Sequence, residues 1–199
     1  SEKGQSQNLW KFAVYSGLRH GELAALAWED VDLEKGIVNV RRNLTILDMF
    51  GPPKTNAGIR TVTLLQPALE ALKEQYKLTG HHRKSEITFY HREYGRTEKQ
   101  KLHFVFMPRV CNGKQKPYYS VSSLGARWNA AVKRAGIRRR NPYHTRHTFA
   151  CWLLTAGANP AFIASQMGHE TAQMVYEIYG MWIDDMNDEQ IAMLNARLS

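Results

Sequence analysis

The chain has 199 residues, of which 43% are hydrophobic and 23% charged, an ordinary balance for one compact globular domain. It has no apolar run approaching the roughly 18 uncharged residues that span a bilayer, and its first residues are polar, so neither a membrane anchor nor a signal peptide is expected. The net charge of +9 favours a polyanionic partner, and the two cysteines, which form no CxxC pair, argue against a disulfide framework or structural zinc.

The first predicted elements are two helices. Apolar residues recur at a helical period between Leu9 and Trp28. Gly17 and Gly21 mark a break within this segment, which places Arg19 at the junction of the two helices.

A small antiparallel sheet is predicted next. β-Branched residues alternate over 37–40 and again over 59–64, and turn-forming residues at 51–53 and 56–58 separate the two strands. The sheet is expected to carry Lys54 at the rim of a hairpin, from which its long side chain could reach a bound strand.

Helical periodicity returns over 67–76, and a polar, basic stretch with interspersed aromatic residues follows over 79–119, in which no boundaries are predicted. Residues 81–147 hold sixteen Lys and Arg against three Asp and Glu. This part of the chain is therefore the candidate for binding a polyanion, although a solvated positive face would have the same composition.

The last third is predicted to be helical. One helix presents Leu124, Trp128 and Val132 on a single face, and the others cover 144–156, 160–166, 171–179 and an amphipathic tail with Ile191, Leu194 and Leu198. Gly157 is expected to end the second of these helices in a left-handed conformation, and Asn159 to cap the next. The expected fold class is mainly α with a small antiparallel sheet, an α+β domain.

Several motifs carry groups suited to breaking a phosphodiester, which requires an oxygen nucleophile, cations around the phosphate and an acid for the departing hydroxyl. Arg19 precedes Glu22 by three residues, so the carboxylate can orient the guanidinium. Arg146 lies near a predicted helix start, where backbone amides also favour a phosphate. His169 and Tyr179 follow ten residues apart. Each motif alone also fits an ordinary structural role.

In chain order, SGLRHGELAAL, PKTNAGIRTVTL, YHTRHTFA, QMGHETAQ and YEIYG resemble the motif series of the tyrosine recombinase (phage integrase) family over essentially the whole chain. The resemblance implies that Arg19 and Arg146 clamp the phosphate and that Lys54 is the general acid on the 5′ oxygen. It also implies that His169 hydrogen-bonds the scissile phosphate and that Tyr179 is the nucleophile. Glu22 would support Arg19, and Lys133, Arg138, Arg139 and Arg140 are expected to contact DNA.

The chain departs from this pattern at one position. The family usually has histidine three residues before its second arginine, where this chain has Tyr143. Tyr143 could donate a hydrogen bond to a phosphate oxygen or to Tyr179, but it supplies no imidazole that titrates near pH 7. Tyr176, three residues before Tyr179, could share its helical face, and the spacing from His169 favours Tyr179.

The resemblance implies site-specific recombination through a 3′-phosphotyrosine, with double-stranded DNA as partner and no cofactor or metal. It further implies a homotetramer on two DNA sites, directionality or host bending factors, no membrane partner, and a bacterial, nucleoid-associated location. Residues 1–199 would be the catalytic domain of an integrase that also has N-terminal DNA-binding domains, and 184–199 a helix exchanged between protomers. Three alternatives remain: topoisomerase IB-like relaxation of DNA, a non-catalytic DNA-binding module, and a metal-dependent nuclease.

Overall fold

The computed structural model describes residues 2–108, 116–184, 191–192 and 195–196. In these ranges the helices are α1 (Glu2–Ser16), α2 (His20–Ala24), α3 (Gln66–Thr79), α4 (Val121–Arg134), α5 (His144–Thr155), α6 (Pro160–Met167) and α7 (Gln173–Asp184). The strands are β1 (Val31–Asp32), β2 (Ile37–Val40), β3 (Asn43–Leu44), β4 (Phe50–Gly51), β5 (Arg60–Thr63), β6 (Ser85–Tyr90) and β7 (Thr97–Leu102). The described part of the chain is therefore mainly α with small sheets, as predicted.

The strands form two sheets. The first has the order β1-β2-β5 and is antiparallel, with Val38 opposite Val62, which confirms the predicted pairing of 37–40 with 59–64. The second has the order β3-β4-β6-β7, and its β4–β6 pair is parallel. The sheet content is thus larger and more mixed than the single antiparallel sheet that the sequence predicted.

Two features explain this difference. The β6–β7 hairpin lies in the stretch for which no boundaries were predicted, because β7 is polar and Leu102 is its one buried residue, so no alternation is visible. The β3–β4 hairpin is inserted between the two strands of the first sheet. As a consequence Lys54 lies in the loop between β4 and β5 and not at the tip of a β2–β5 hairpin.

Most helical predictions are confirmed, with shifted ends. Gly157 has φ +77° after α5, and the Asn159 side chain accepts a hydrogen bond from the Ala161 amide at 2.8 Å to cap α6. The predicted second helix was too long: α2 ends at Ala24. Beyond it the chain extends to pair with the 103–105 segment, and the Trp28 amide donates to the His103 carbonyl at 2.8 Å.

Buried apolar residues form two clusters. The larger one joins α1–α4 and both sheets and includes Phe12, Leu23, Val38, Leu72 and Phe106; the smaller one joins α5, α6 and α7 and includes Phe149, Ile163, Met167, Val175 and Tyr179. The clusters meet where Gly17, with φ +65°, passes Phe149 so closely that a Cβ would lie 2.5 Å from the ring. This glycine brings the α1–α2 junction, and Arg19 with it, against α5.

Two predictions fall partly outside the described residues. Leu194 and Leu198 of the tail stripe lie outside them, while Ile191 is described and exposed. Cys111 also lies outside, and Cys151 is a half-buried free thiol. Among the helices that the structure describes, none combines the length and apolar character needed to cross a membrane.

Candidate active site

Arg146 links the parts of the chain that were predicted to converge. Its side chain is almost fully buried, with 1% exposure. One terminal nitrogen donates to the Gly17 carbonyl at 2.6 Å, and the other donates to the Met167 carbonyl. Burial, followed by repulsion from Arg19, lowers its pKa to about 10, so it remains a cation at neutral pH.

Arg19 is the N-cap residue of α2 and forms the predicted pair with Glu22. Its Nη1 lies 3.0 Å from Oε1 of Glu22, and its backbone amide donates to Oε2 at 2.8 Å. Its Nη2 donates to the Gly168 carbonyl at 3.4 Å, one residue beyond the carbonyl that Arg146 contacts. The Arg19 side chain is one-third exposed, so its guanidinium is anchored on a buried carboxylate and still reaches solvent.

Arg60 is a site residue that the sequence reasoning missed. It makes a two-pronged contact with Glu22, with both nitrogen–oxygen distances 3.0 Å, and its Nε donates to the Gln166 carbonyl at 2.7 Å. Burial would raise the pKa of Glu22, but Arg60 and then Arg19 outweigh burial and lower it. One signal was available: strand alternation puts Arg60 on the same face as buried Val62, where a charge requires a partner.

His169 follows the end of α6. Gly168 has φ +66°, and the amide of His169 donates to the Ala164 carbonyl at 2.9 Å. The imidazole is 8% exposed, and its buried Nδ1 has no hydrogen-bond partner in the described chain. Burial, helped by Arg146 and Arg19, lowers its pKa to about 4, so the ring is neutral at pH 7 and can either donate or accept a hydrogen bond.

Tyr179 lies on the inner face of α7. Its side chain is 3% exposed, and burial raises its pKa to about 12 even though Arg146 acts in the opposite direction. Val175, one turn earlier, is also buried, whereas Tyr176 is 51% exposed. The two tyrosines therefore lie on different faces of the helix, and Tyr179 is the one that faces Arg146.

His147 is the hydrogen-bond partner of Tyr179, which was also not predicted. Its Nδ1 lies 2.7 Å from the Tyr179 hydroxyl oxygen. The Tyr143 ring packs edge-on against His147, with centroids 5.0 Å apart, and is 41% exposed. Within the described residues, no hydrogen bond joins Tyr143 to Tyr179. Burial, followed by His144 and Arg146, lowers the pKa of His147.

The remaining predicted cations are exposed. Lys54 makes no hydrogen bond or ion pair within the part of the chain that the structure describes, but Arg92 braces its loop by donating to the Pro53 carbonyl at 2.8 Å. The other end of this loop lies against the site. The Ala57 carbonyl oxygen is so close to Gly168 that a Cβ on Gly168 would lie 2.9 Å from it. The side chains of Lys133, Arg138, Arg139 and Arg140 also face solvent.

The structure thus brings together Arg19, Glu22, Arg146, His169 and Tyr179 around the end of α6, and leaves Lys54 and the 133–140 run exposed. Fixed cations beside a phenol can hold a tetrahedral oxyanion next to an oxygen nucleophile. In the ranges described, no three His, Cys, Asp or Glu side chains are grouped so that they could hold a metal ion.

Comparisons with known sequences identify relatives of the chain. The model of the Phage integrase family matches residues 1–181. The chain is 52% identical over 199 residues to the Escherichia coli K12 protein named "Putative defective protein IntQ", covering 98% of this chain and 50% of that protein. It is 29% identical over 208 residues to the "Tyrosine recombinase XerC-like" protein of Caldanaerobacter subterraneus subsp. tengcongensis, covering 94% and 48%. The chain spans about half the length of these curated relatives.

A similar fold occurs among solved structures. The Tn1549 transposon integrase in complex with transposon right end DNA superimposes with a TM-score of 0.69 at 22% sequence identity. The match covers 93% of this chain and 58% of that one. At this level of identity the likeness concerns the fold.

Proposed function

The chain belongs to the phage integrase family, and from this premise we propose that it is the catalytic domain of a site-specific recombinase. Tyr179 cleaves a strand of double-stranded DNA and forms a 3′-phosphotyrosine, and the strand is later rejoined to a different partner. Rejoining needs no high-energy cofactor, because the tyrosyl ester keeps the energy of the broken bond, and Arg19 and Arg146 supply the positive charge that a metal ion would otherwise provide.

The observation that carries this proposal is the meeting of three distant segments at the end of α6. Arg146 of α5 donates to Gly17 and Met167, and Arg19 donates to Gly168. Because these bonds hold the two guanidinium groups in place, binding of a phosphate requires little rearrangement of them. Tyr179 hydrogen-bonds to His147, the neighbour of Arg146, so a nucleophile adjoins the cations.

Each group then has a distinct role. Arg19 and Arg146 bind the non-bridging oxygens of the scissile phosphate, and the neutral imidazole of His169 donates to one of them. Glu22, held by Arg60, keeps Arg19 in position. Lys54 donates a proton to the 5′ oxygen that leaves, which requires its exposed side chain to swing from the braced loop onto the DNA.

DNA is the proposed partner. The Tn1549 integrase, which shares the fold, is described in complex with transposon DNA, and Lys133, Arg138, Arg139 and Arg140 offer exposed cations for phosphate contacts. In the full-length recombinase we expect a homotetramer on two duplexes at the bacterial nucleoid, assisted by directionality or bending factors. The tail around Ile191 is the segment expected to be exchanged between protomers.

The test is covalent capture on a pool of nicked duplexes with randomised sequence around the nick, because on such substrates the cleaved end diffuses away and the adduct accumulates. We expect an adduct that survives denaturant and maps to Tyr179. Tyr179→Phe should abolish it, and the matched control Tyr176→Phe, on the exposed face of α7, should retain it.

An adduct formed by Tyr179→Phe would refute the assigned nucleophile. Failure of the unaltered chain to form any adduct, together with salt-dependent binding, would instead favour a non-catalytic DNA-binding module. Cleavage that a chelator abolishes and a divalent ion restores would favour a metal-dependent nuclease, and relaxation of any supercoiled plasmid would favour the topoisomerase alternative.

A further inference from the structure

The Tyr179 hydroxyl needs a proton acceptor before it can attack. With a pKa of about 12, only about one molecule in 10⁵ carries a phenolate at pH 7. Arg146 stabilises that anion, but as a cation it cannot remove the proton. The acceptor must therefore be a different group in contact with the hydroxyl.

The geometry points to His147 as a further catalytic residue, which takes the proton of Tyr179 when its oxygen attacks the phosphate and returns that proton when the strand is rejoined. This inference rests on the proposed function. Nδ1 of His147 lies 2.7 Å from the hydroxyl oxygen. In the part of the chain that is described, no other side chain hydrogen-bonds to Tyr179.

The surroundings of His147 favour the form that accepts a proton. Tyr143, His144 and Arg146 face it from its own helix and helix start, Tyr179 from α7, and His169 from the end of α6. Burial, followed by His144 and Arg146, lowers its pKa below the ordinary value of histidine, so that near pH 7 the ring is neutral. With its hydrogen on Nε2, Nδ1 presents a lone pair to the Tyr179 hydroxyl, which donates to it.

Tyr143 stands where the family usually has a histidine, and the location of His147 on α5 explains how the site functions without that histidine. Residues 143 and 147 are one helical turn apart and share a face of α5, and their rings are in edge contact. A phenol at position 143 is a poor acceptor at neutral pH. The imidazole one turn further along α5 directly contacts the nucleophile.

The step balances without an added reactant. The Tyr179 proton moves to Nδ1 of His147, which becomes an imidazolium, and the tyrosine oxygen forms a bond to phosphorus. The bond between phosphorus and the 5′ oxygen breaks, and that oxygen takes a proton from Lys54. Rejoining reverses each transfer, so His147 acts as a base in cleavage and as an acid in rejoining.

The experiment measures the single-turnover rate of adduct formation between pH 5 and 8.5 on a nicked duplex selected from the capture pool. For the unaltered chain the rate should fall as pH drops through the lowered pKa of His147, since protonation removes the acceptor. His147→Gln should be at least about 100-fold slower at pH 7 and should lack this inflection. His82→Gln, the matched control at an exposed histidine just after α3, should stay within about threefold of the parent and keep its pH profile.

Two further measurements separate a base from a structural role. His147→Ala should regain rate when imidazole is added, because the small base can occupy the vacated space. A substrate with sulfur in place of the bridging 5′ oxygen needs no acid, so it should restore Lys54→Ala but not His147→Gln. The inference would be overturned if His147→Gln kept the rate and pH profile of the parent, or if the sulfur substrate restored the rate of His147→Gln. In either case a Tyr179 adduct would still support the proposed function. Absence of any adduct from the unaltered chain would refute the proposed function itself.

Discussion

Arg139 and Arg146 lie seven positions apart in the chain, and their environments in the fold are opposite. Arg146 is buried and donates to two carbonyl groups from other segments, whereas Arg139 faces solvent beside two further arginines. The buried guanidinium is desolvated and lies near Arg19 and Arg60, which repel it. The exposed one keeps its hydration.

This difference separates two uses of positive charge. A cation fixed before the substrate arrives costs folding free energy, but it stabilises a developing oxyanion without reorganising. A solvated cation costs the fold nothing and contributes only when counterions are released from a bound polyanion. We therefore expect changes in the buried set to affect catalysis and stability, and changes in the exposed set to affect the salt dependence of binding.

The largest effect is expected for Arg146→Lys. The two terminal nitrogens of the Arg146 guanidinium donate to the Gly17 and Met167 carbonyls. The single ammonium of lysine cannot make both bonds and also contact a phosphate. Adduct formation should slow by about 10³-fold, equivalent to about 4 kcal/mol of transition-state stabilisation. Arg139→Lys is the matched control and should stay within about threefold of the parent rate. Equal losses in both variants would remove the distinction between the two sets.

Glu22→Gln should be the most destabilising change at the anchor of the buried set. It leaves Arg19 and Arg60 without their shared carboxylate, and breaking a buried pair of this kind costs about 3 kcal/mol. Urea unfolding at pH 7 measures the loss. The pKa of Glu22 is lowered in the folded chain, so its stabilisation is present above the ordinary pKa of glutamate and disappears as pH falls through the lowered value.

The difference between Glu22→Gln and the parent should accordingly shrink as the pH is lowered below about 4.3. A difference that stayed constant down to pH 3 would mean that the charge of Glu22 is not what holds the two arginines. The exposed ion pair between Lys11 and Glu70 provides the contrast. Glu70→Gln breaks this pair and should change the free energy of unfolding by less than about 1 kcal/mol.

The helices and the first sheet could be predicted from the sequence because their signals are local. Gly17 and Gly157 mark breaks, Asn159 caps α6, and β-branched alternation gives the β2–β5 pair. The convergence of Arg19, Arg146, His169 and Tyr179 was predicted from the order of five motifs, and the structure brings these four residues together. Their catalytic roles stay predictions until cleavage is measured.

What could not be predicted depends on contacts between distant residues. Arg60 meets Glu22 across 38 positions, and His147 meets Tyr179 across 32, so neither pair has a characteristic spacing. The β6–β7 hairpin was missed because its strands expose charged side chains and bury few apolar ones. Tertiary packing determined all three, and only the inward-facing charge of Arg60 left a trace in the sequence.

Gly168→Ala tests whether the buried set depends on the backbone that supports it. Gly168 and Gly136 both have φ +66°, but a Cβ on Gly168 would lie 2.9 Å from Ala57 O and from the Arg60 guanidinium, whereas at Gly136 it would meet nothing. Gly136→Ala should cost about 1 kcal/mol from strain alone, and Gly168→Ala about 2 kcal/mol or more. Adduct formation should slow about tenfold only in Gly168→Ala, because His169 and the carbonyl that Arg19 contacts move with it. If the two variants lost the same free energy of unfolding and formed the adduct at the same rate, close packing at Gly168 would be unimportant.

The triple change of Arg138, Arg139 and Arg140 to Gln should have the smallest effect on the fold. It is also the clearest test of the exposed set. These side chains are exposed, so the free energy of unfolding should change by less than about 0.5 kcal/mol. If all three contact phosphates, the slope of log Kd against log salt should fall by about 2.7. Binding of Tyr179→Phe protein to a random duplex measures this slope without cleavage.

The control is a second triple variant in which Lys35, Lys73 and Lys77 are changed to Gln. It removes the same net charge from another surface and should leave the slope unaltered. Equal decreases in the two triple variants would mean that total charge, and not the position of the 138–140 run, governs attraction to DNA.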